Sequence, residues 1–366
     1  MTASPRPTLH VAPRPVRRSR ACWHAALLLL MVSAGPARAQ SGDMPVSVLN
    51  DWRWEGQSAP LLLALDEGYF AEESLDVTFD PGAGSVAALP KVASGEYDFG
   101  IADINSLVTW RHENPGVDLK AIFMIYNAPP YAVIGRPSLG VTGPLDLEGH
   151  VLGAPAADGA FAQWPMFVRA NGIFDERVTI EDVGFGERET KLAEGDVDAI
   201  TGFSFTSMVG LEGEGVPTDD LSLMLMSDFG LDLYGNAIVV NPGFAEREPA
   251  AVKRFLRAVT RGYQQTIRDP STAVSHVLSR VPDASPEIEL RRLVMAIGHH
   301  IVTDETRQAG LGGVIEQRLD KAIAQLSELQ GVEPRPAAAE IFDAAYLPRL
   351  ELRLVPGEPD GESADD

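Results

Sequence analysis

The sequence has almost no cysteine. Cys22 is the only one in 366 residues, and it precedes the N-terminal apolar run instead of following it, which argues against a lipid-modified cysteine. A chain trimmed beyond that point has none, so disulfides and cysteine-ligated metals are excluded. Long apolar runs are also missing, and the stretch from Ala25 to Ala34 is too short to span a bilayer. Cations are scarce: 30 Lys and Arg face 52 Asp and Glu, for a formal charge of −22. Nucleic acid and anionic lipid are therefore poor partners. No GxSxG, HExxH or Walker sequence is present. His299-His300 with Asp304 and Glu305 is the nearest approach to a metal set, but adjacent histidines on a helix point in different directions, and cations near a helix C-terminus need no metal. No catalytic residue, metal or cofactor is assigned.

What the N-terminus does have is six arginines and no acid over residues 1–39, an apolar run, and Ala37-Arg38-Ala39. This reads as a cleavable secretory signal, and Arg17-Arg18 leaves the general and twin-arginine export routes both open. Removing those six arginines from a charge of −22 leaves −28 on the mature protein, expected in the periplasm. Roughly 320 residues are too many for one core, so two domains are expected.

The stretch Asp51 to Asp103 organises the chain. It reads as strand, polar loop, helix, strand, Gly-rich loop, helix, strand, an alternation that implies a parallel sheet with crossover helices. The first loop, DWRWEG, exposes Trp52 and Trp54, and the second, PGAGS (Pro81 to Ser85), lets backbone approach a ligand beneath a helix N-terminus. Ligands of open α/β sheets bind beyond the strands' carboxyl ends. Asp51, Trp52, Trp54, Gly84, Ser85, Asp103 and Asn105 should therefore share one crevice.

GYFAEESLDV, PGAGS and LPKVASGEYDFGIAD in this order resemble the substrate-binding proteins of bacterial ABC importers, in the branch with nitrate, taurine, sulfonate and thiamine-pyrimidine-precursor binders. The resemblance covers about residues 44 to 347. It implies an α/β, two-lobed periplasmic-binding-protein fold of type II, each lobe a mainly parallel sheet flanked by helices, with a cleft between them. It also implies a monomer that closes on a small-molecule solute and delivers it to an inner-membrane permease. Some eukaryotic relatives of the pyrimidine-binding branch are thiamine-pyrimidine synthases with a cysteine-rich motif, which is absent here.

The expected divisions are a signal peptide over 1–39, lobe one over 40–130, lobe two over 131–236, lobe one again with its C-terminal helices over 237–350, and a disordered acidic tail over 351–366. VASGEYDFGIAD (Val92 to Asp103) is echoed by LAEGDVDAITGF (Leu192 to Phe203), which suits two lobes of similar architecture. Leu119 to Tyr126 and Tyr131 to Gly135 are read as strands flanking the first crossing between lobes. Leu221 to Met226 and Tyr234 to Asn241 are read as the return to lobe one. The backbone should hinge at Asn127 to Gly135 and Tyr234 to Asn241, since these crossings alone would join separate cores.

In lobe two, PAADGA places Asp158, Gly159 and Phe161 where PGAGS stands in lobe one, with core packing the equal reading for Phe161. Tyr131, Ser204, Tyr234 and Asn236, at strand ends, complete the candidate ligand set. With Asp51, Asp103 and Asp158 at the crevice and no strand-end cation but Arg53, acceptors outnumber cations. A nitrogen-bearing solute such as an aminopyrimidine is favoured over a sulfonate, taurine or nitrate, although helix N-termini can bind anions without side-chain cations.

Overall fold

The computed structural model describes residues 43–357. The expected signal peptide over 1–39, Cys22 and the tail beyond 357 lie outside these residues.

Ten strands form two five-stranded sheets. In lobe one, β1 (Met44–Leu49), β2 (Leu75–Asp80), β3 (Phe99–Asp103), β4 (Lys120–Met124) and β10 (Asn236–Val240) are ordered β2-β1-β3-β10-β4. In lobe two, β5 (Tyr131–Gly135), β6 (Val151–Ala154), β7 (Thr179–Asp182), β8 (Ala199–Phe203) and β9 (Ser222–Leu225) are ordered β7-β6-β8-β5-β9. β1 pairs in parallel with β2 and β3, and β6 with β7 and β8, whereas β10 and β5 run antiparallel to both their neighbours. This is the periplasmic-binding-protein fold, two α/β lobes built alike.

The reversed strands place the site. β10 starts at the edge where β3 ends, so Asn236 pairs with Asp103, and β5 starts where β8 ends, so Tyr131 pairs with Phe203. Strand ends and reversed-strand starts from both sheets thus converge on one cleft.

The sequence echo has a structural basis. Gly95 and Gly195 end their helices at φ +80° and +82°, a left-handed conformation that glycine adopts without a Cβ penalty. Asp98 then accepts the backbone N–H of Ser47 at 2.9 Å, and Asp198 that of Val151 at 2.8 Å. Each aspartate fastens a buried strand to a parallel neighbour in its own sheet, β3 to β1 and β8 to β6.

Three expectations need correction. Leu221 to Met226 does not return to lobe one: β9 pairs with β5 as an edge strand of sheet two, and Asn236 to Val240 is a strand in sheet one. The crossings are therefore 125–130 and 226–235, and lobe two ends before Asn236. The cores are not fully separate, because an apolar seam runs from Leu107 and Leu319 of lobe one to Val133 and Phe167 of lobe two. There the helix Glu316–Gln330 meets the helix Trp164–Asn171, and Arg169 donates to the carbonyl of Leu329 at 2.8 Å. Finally, the start of the tail is structured: Leu350–Leu352 forms a 3₁₀ turn, and the Arg353 carbonyl accepts Leu311 N–H at 2.7 Å.

Candidate functional site

Between the lobes lies a narrow cleft, lined by Asp51, Trp52, Gln57, Gly84 and Ser85 of lobe one and by Asp158, Phe185, Arg188, Phe203 and Thr206 of lobe two, with about 30 Å³ of enclosed space in this closed arrangement. Its lobe-one wall is two loops zipped together. Gly84 N–H donates to the Asp51 carbonyl at 2.7 Å and Gly82 N–H to the Trp52 carbonyl at 3.1 Å. The zip requires glycine, since a Cβ on Gly82 would stand 1.9 Å from the Asn50 carbonyl oxygen.

Trp52 meets Phe185 across the cleft with ring centroids 4.2 Å apart and planes tilted by 46°. The Arg53 guanidinium stands 5.3 Å from the Trp52 ring and that of Arg188 5.9 Å from Phe185. Each aromatic therefore already has a cation against it.

The polar groups follow the same division. Asp51 accepts from Asn236 Nδ2 at 2.7 Å, and Asn236 also donates to Ser85 Oγ at 3.1 Å, so Asn236 holds both from behind. Burial, with the Glu55 charge adding to it, pushes the Asp51 carboxyl up to about 7. Across the cleft Asp158 accepts from Ala160 N–H and Thr201 Oγ1, each at 3.1 Å, and burial raises its pKa against the pull of Arg188. Arg188 donates through Nε and Nη2 to Glu189 Oε1 at 3.0 and 2.6 Å, and its Nη1 lies 3.7 Å from Asp158. Burial opposes ionisation of Glu189, but Arg188 and the Ser207 hydroxyl hold its carboxyl below the ordinary value.

Some amides at the helix N-termini of the cleft already meet protein acceptors. In the helix Ser85–Ser94, Val86 N–H points to the Ala157 carbonyl at 3.4 Å. Asp103 caps the helix Ile104–Glu113, and the Pro130 carbonyl takes Ser204 N–H at 2.8 Å ahead of the helix Ser204–Gly213.

Of the residues expected to bind, Asp51, Trp52, Gly84, Ser85 and Asp158 line the cavity, Gly159 backs Ser85, and Asn236 orients Asp51. Asp103 is elsewhere engaged: one carboxylate oxygen accepts from Asn105 N, Asn105 Nδ2 and Tyr131 OH, the other from Ser106 N, Ser106 Oγ and Gln163 Nε2. Six donors leave it no lone pair for a ligand. Asn105 and Tyr131 belong to that node. Ser204 bonds His300, whose Nδ1 faces the Ala128 carbonyl at 3.0 Å. A carbonyl only accepts, so Nδ1 carries the proton and Nε2 accepts from Ser204, while burial pushes the imidazole down to about 4. Phe161 packs on the apolar seam, and Trp54 on the helical cluster around Leu62 and Leu293. Tyr234 bonds Glu305 under the Arg318 guanidinium, away from the cavity.

Residues 55–273 match the NMT1/THI5-like family. The chain belongs to that family. A riboflavin-binding protein from Chloroflexus aurantiacus is 27% identical over 262 residues, covering 70% of this chain and 72% of its own. A formylaminopyrimidine-binding protein from Halalkalibacterium halodurans is 24% identical over 263 residues, covering 71% and 78%. The alkanesulfonate-binding protein SsuA from Xanthomonas axonopodis pv. citri, solved bound to MOPS, superposes with a TM-score of 0.64 at 14% identity over 82% of this chain and 98% of its own. At that identity the likeness establishes the fold.

In this NMT1/THI5-like chain the sequence reading missed Gln57, Phe185, Arg188, Phe203 and Thr206. One signal was available for Arg188. It opens the helix Arg188–Glu194, where a cation opposes the helix dipole and stability alone would disfavour it. Gly202 leaves room for it, since a Cβ there would stand 2.9 Å from the guanidinium carbon.

Proposed function

We propose that this protein is the periplasmic solute-binding component of an ABC importer. It is exported by its N-terminal signal, captures a planar, nitrogen-bearing organic solute of aminopyrimidine type by lobe closure, and presents it to an inner-membrane permease as a monomer, without catalysis. The observation that carries this reading is the Trp52–Phe185 pair, one flat face from each lobe over a cavity with Asp51 and Asp158 on its two walls. Because arginines already stand against both rings, the pair suits a planar heterocycle better than a bare cation. The amides of Val86 and Ser204, which already meet protein carbonyls, offer less to nitrate or a sulfonate. Arg188 is the one feature favouring an anion, and Glu189 and Asp158 answer its charge.

Relatives with pyrimidine- and riboflavin-binding names support the same solute class, since both solutes are flat rings bearing nitrogen. Others are named pyrimidine phosphate synthases. The cysteine-rich motif that the resemblance associates with such enzymes is absent, and turnover of a bound pyrimidine would revive that reading.

The test is mass spectrometry of solute retained through purification, with a thermal-shift screen of riboflavin, formylaminopyrimidine, taurine, alkanesulfonates and nitrate. A solute at a hundred times its Kd stabilises by about 2.7 kcal/mol. Stabilisation by the sulfonates or nitrate and none by the ring compounds would overturn the proposal.

A further inference from the structure

The two walls of the cavity differ in polarity, and the difference defines which solute closes it. On lobe one, Gln57 Nε2 faces Glu55 Oε2 at 3.2 Å. A carboxylate only accepts, so the amide orientation is fixed and Oε1 is turned away. Gln57 lines the cavity, and its Oε1 is buried without a hydrogen-bond partner among the described residues. Native structures rarely leave a buried acceptor unmatched. Beside it stands Asp51, a second acceptor on the same wall.

On lobe two Arg188 is buried, at 3% exposed. Glu189 Oε1 engages its Nε and Nη2, while the Nη1 contact to Asp158, at 3.7 Å, is a charge contact beyond hydrogen-bond reach. Nη1 is thus the donor corner of a cation locked by its other edge and seated against Gly202.

We propose that Gln57 and Arg188 read the polarity of the solute. An N–H donor on the solute meets Gln57 Oε1 and Asp51 on lobe one, and a carbonyl-type acceptor meets Arg188 Nη1 on lobe two. A solute with both ends bridges the walls and holds the lobes closed. One with donors alone leaves Arg188 unmatched, and a simple anion leaves Gln57 and Asp51 unmatched. This inference rests on the solute-binding reading above and adds two specificity-determining residues to it.

The experiment is calorimetric titration with two probes, formylaminopyrimidine and 4-amino-2,5-dimethylpyrimidine, which keeps the aminopyrimidine ring and lacks the formamide carbonyl. Arg188→Met alone would strand the buried Glu189 carboxylate, so the variant is Arg188→Met/Glu189→Gln. It should weaken the formyl compound roughly tenfold to a hundredfold, the range for a hydrogen bond to a charged group, and leave the dimethyl compound within about threefold. Gln57→Leu should weaken both probes about tenfold, because both carry the ring amino group, and should lower the melting temperature of the free protein somewhat, because the buried Glu55 carboxylate loses a donor. A merely structural glutamine would show that melting shift with wild-type affinity for both probes. Equal loss of both probes in the double variant, or wild-type affinities in Gln57→Leu, would overturn the inference alone. Flat titrations of both probes with wild-type protein would refute the aminopyrimidine reading beneath it, and the inference with it.

Discussion

Asp51 should make stability fall as pH rises across the neutral range. Its folded pKa of about 7 lies above the ordinary 3.8, chiefly through burial. Below pH 3.8 the folded and unfolded chains both hold this proton. Between 3.8 and 7 only the folded chain keeps it, so the stabilisation present in acid is lost as pH climbs and is gone above 7. From pH 5 to pH 7 the loss from this group is about 2 kcal/mol, an upper value because the side chain retains partial contact with solvent.

The perturbation is Asp51→Asn, which keeps the acceptor for Asn236 and removes the titration. Urea unfolding of both proteins at pH 5, 6 and 7 isolates the term, since all other carboxylates cancel in the difference. The variant should gain on wild type by about 2 kcal/mol over the series. Parallel profiles would refute the reasoning and place Asp51 in an ordinary solvated setting. Binding should show the opposite sign: a solute N–H prefers the ionised carboxylate, so wild-type affinity should rise with pH and level off above about 7.

Trp52→Ala and Phe185→Ala should each weaken solute binding with little change in the melting temperature of the free protein, whereas Trp54→Ala should cost about 1–3 kcal/mol of stability through its helical cluster and leave calorimetric affinity nearly intact. At Gly84, φ is +110° and an added Cβ would stand 2.4 Å from the Ala157 carbonyl oxygen of the opposite lobe. Gly84→Ala should therefore reduce the compaction that small-angle scattering detects when solute saturates the wild type. Tyr131→Phe removes one of the six donors on Asp103 and should lower stability by about 1–3 kcal/mol in urea unfolding.

Lobe count, the succession of strands and helices around the first crevice and the loops carrying Asp51, Trp52, Gly84, Ser85 and Asp158 were legible because those residues follow strands whose period and punctuation are explicit. Phe185 and Gln57 were not. Phe185 gains meaning only from Trp52, 133 positions earlier and in the other lobe. Gln57 sits in an ordinary-looking helix approach, and what distinguishes it is a missing partner. Asp103, Asn105 and Tyr131 have the right residue types at strand ends, but the sequence does not show that they satisfy one another. Tyr234 failed likewise, because Glu305 and Arg318 come from the C-terminal helices. The misplaced β9 has a plainer cause: a short apolar edge strand can pair with either sheet, and only the antiparallel register with β5 decides it.

The contacts between lobes differ in what it costs to break them, and that difference locates the pivot. At the mouth, Arg291 meets Glu212 half-exposed. Such polar contacts exchange for water at little net cost, so they fix the geometry of closure and do not set its equilibrium. Asp103 is different, because it is fully buried, and opening that withdrew Tyr131 and Gln163 would leave a buried carboxylate short of two donors. The easier motion keeps Asp103 in place and rotates the lobes about it. Tyr131 and Asn236, the first residues of the two reversed strands, lie beside this node with their side-chain oxygens 3.4 Å apart, so both crossings leave from the same point. The closed population then follows the solute's differential contacts with Gln57, Asp51 and Arg188 in the closed and open forms.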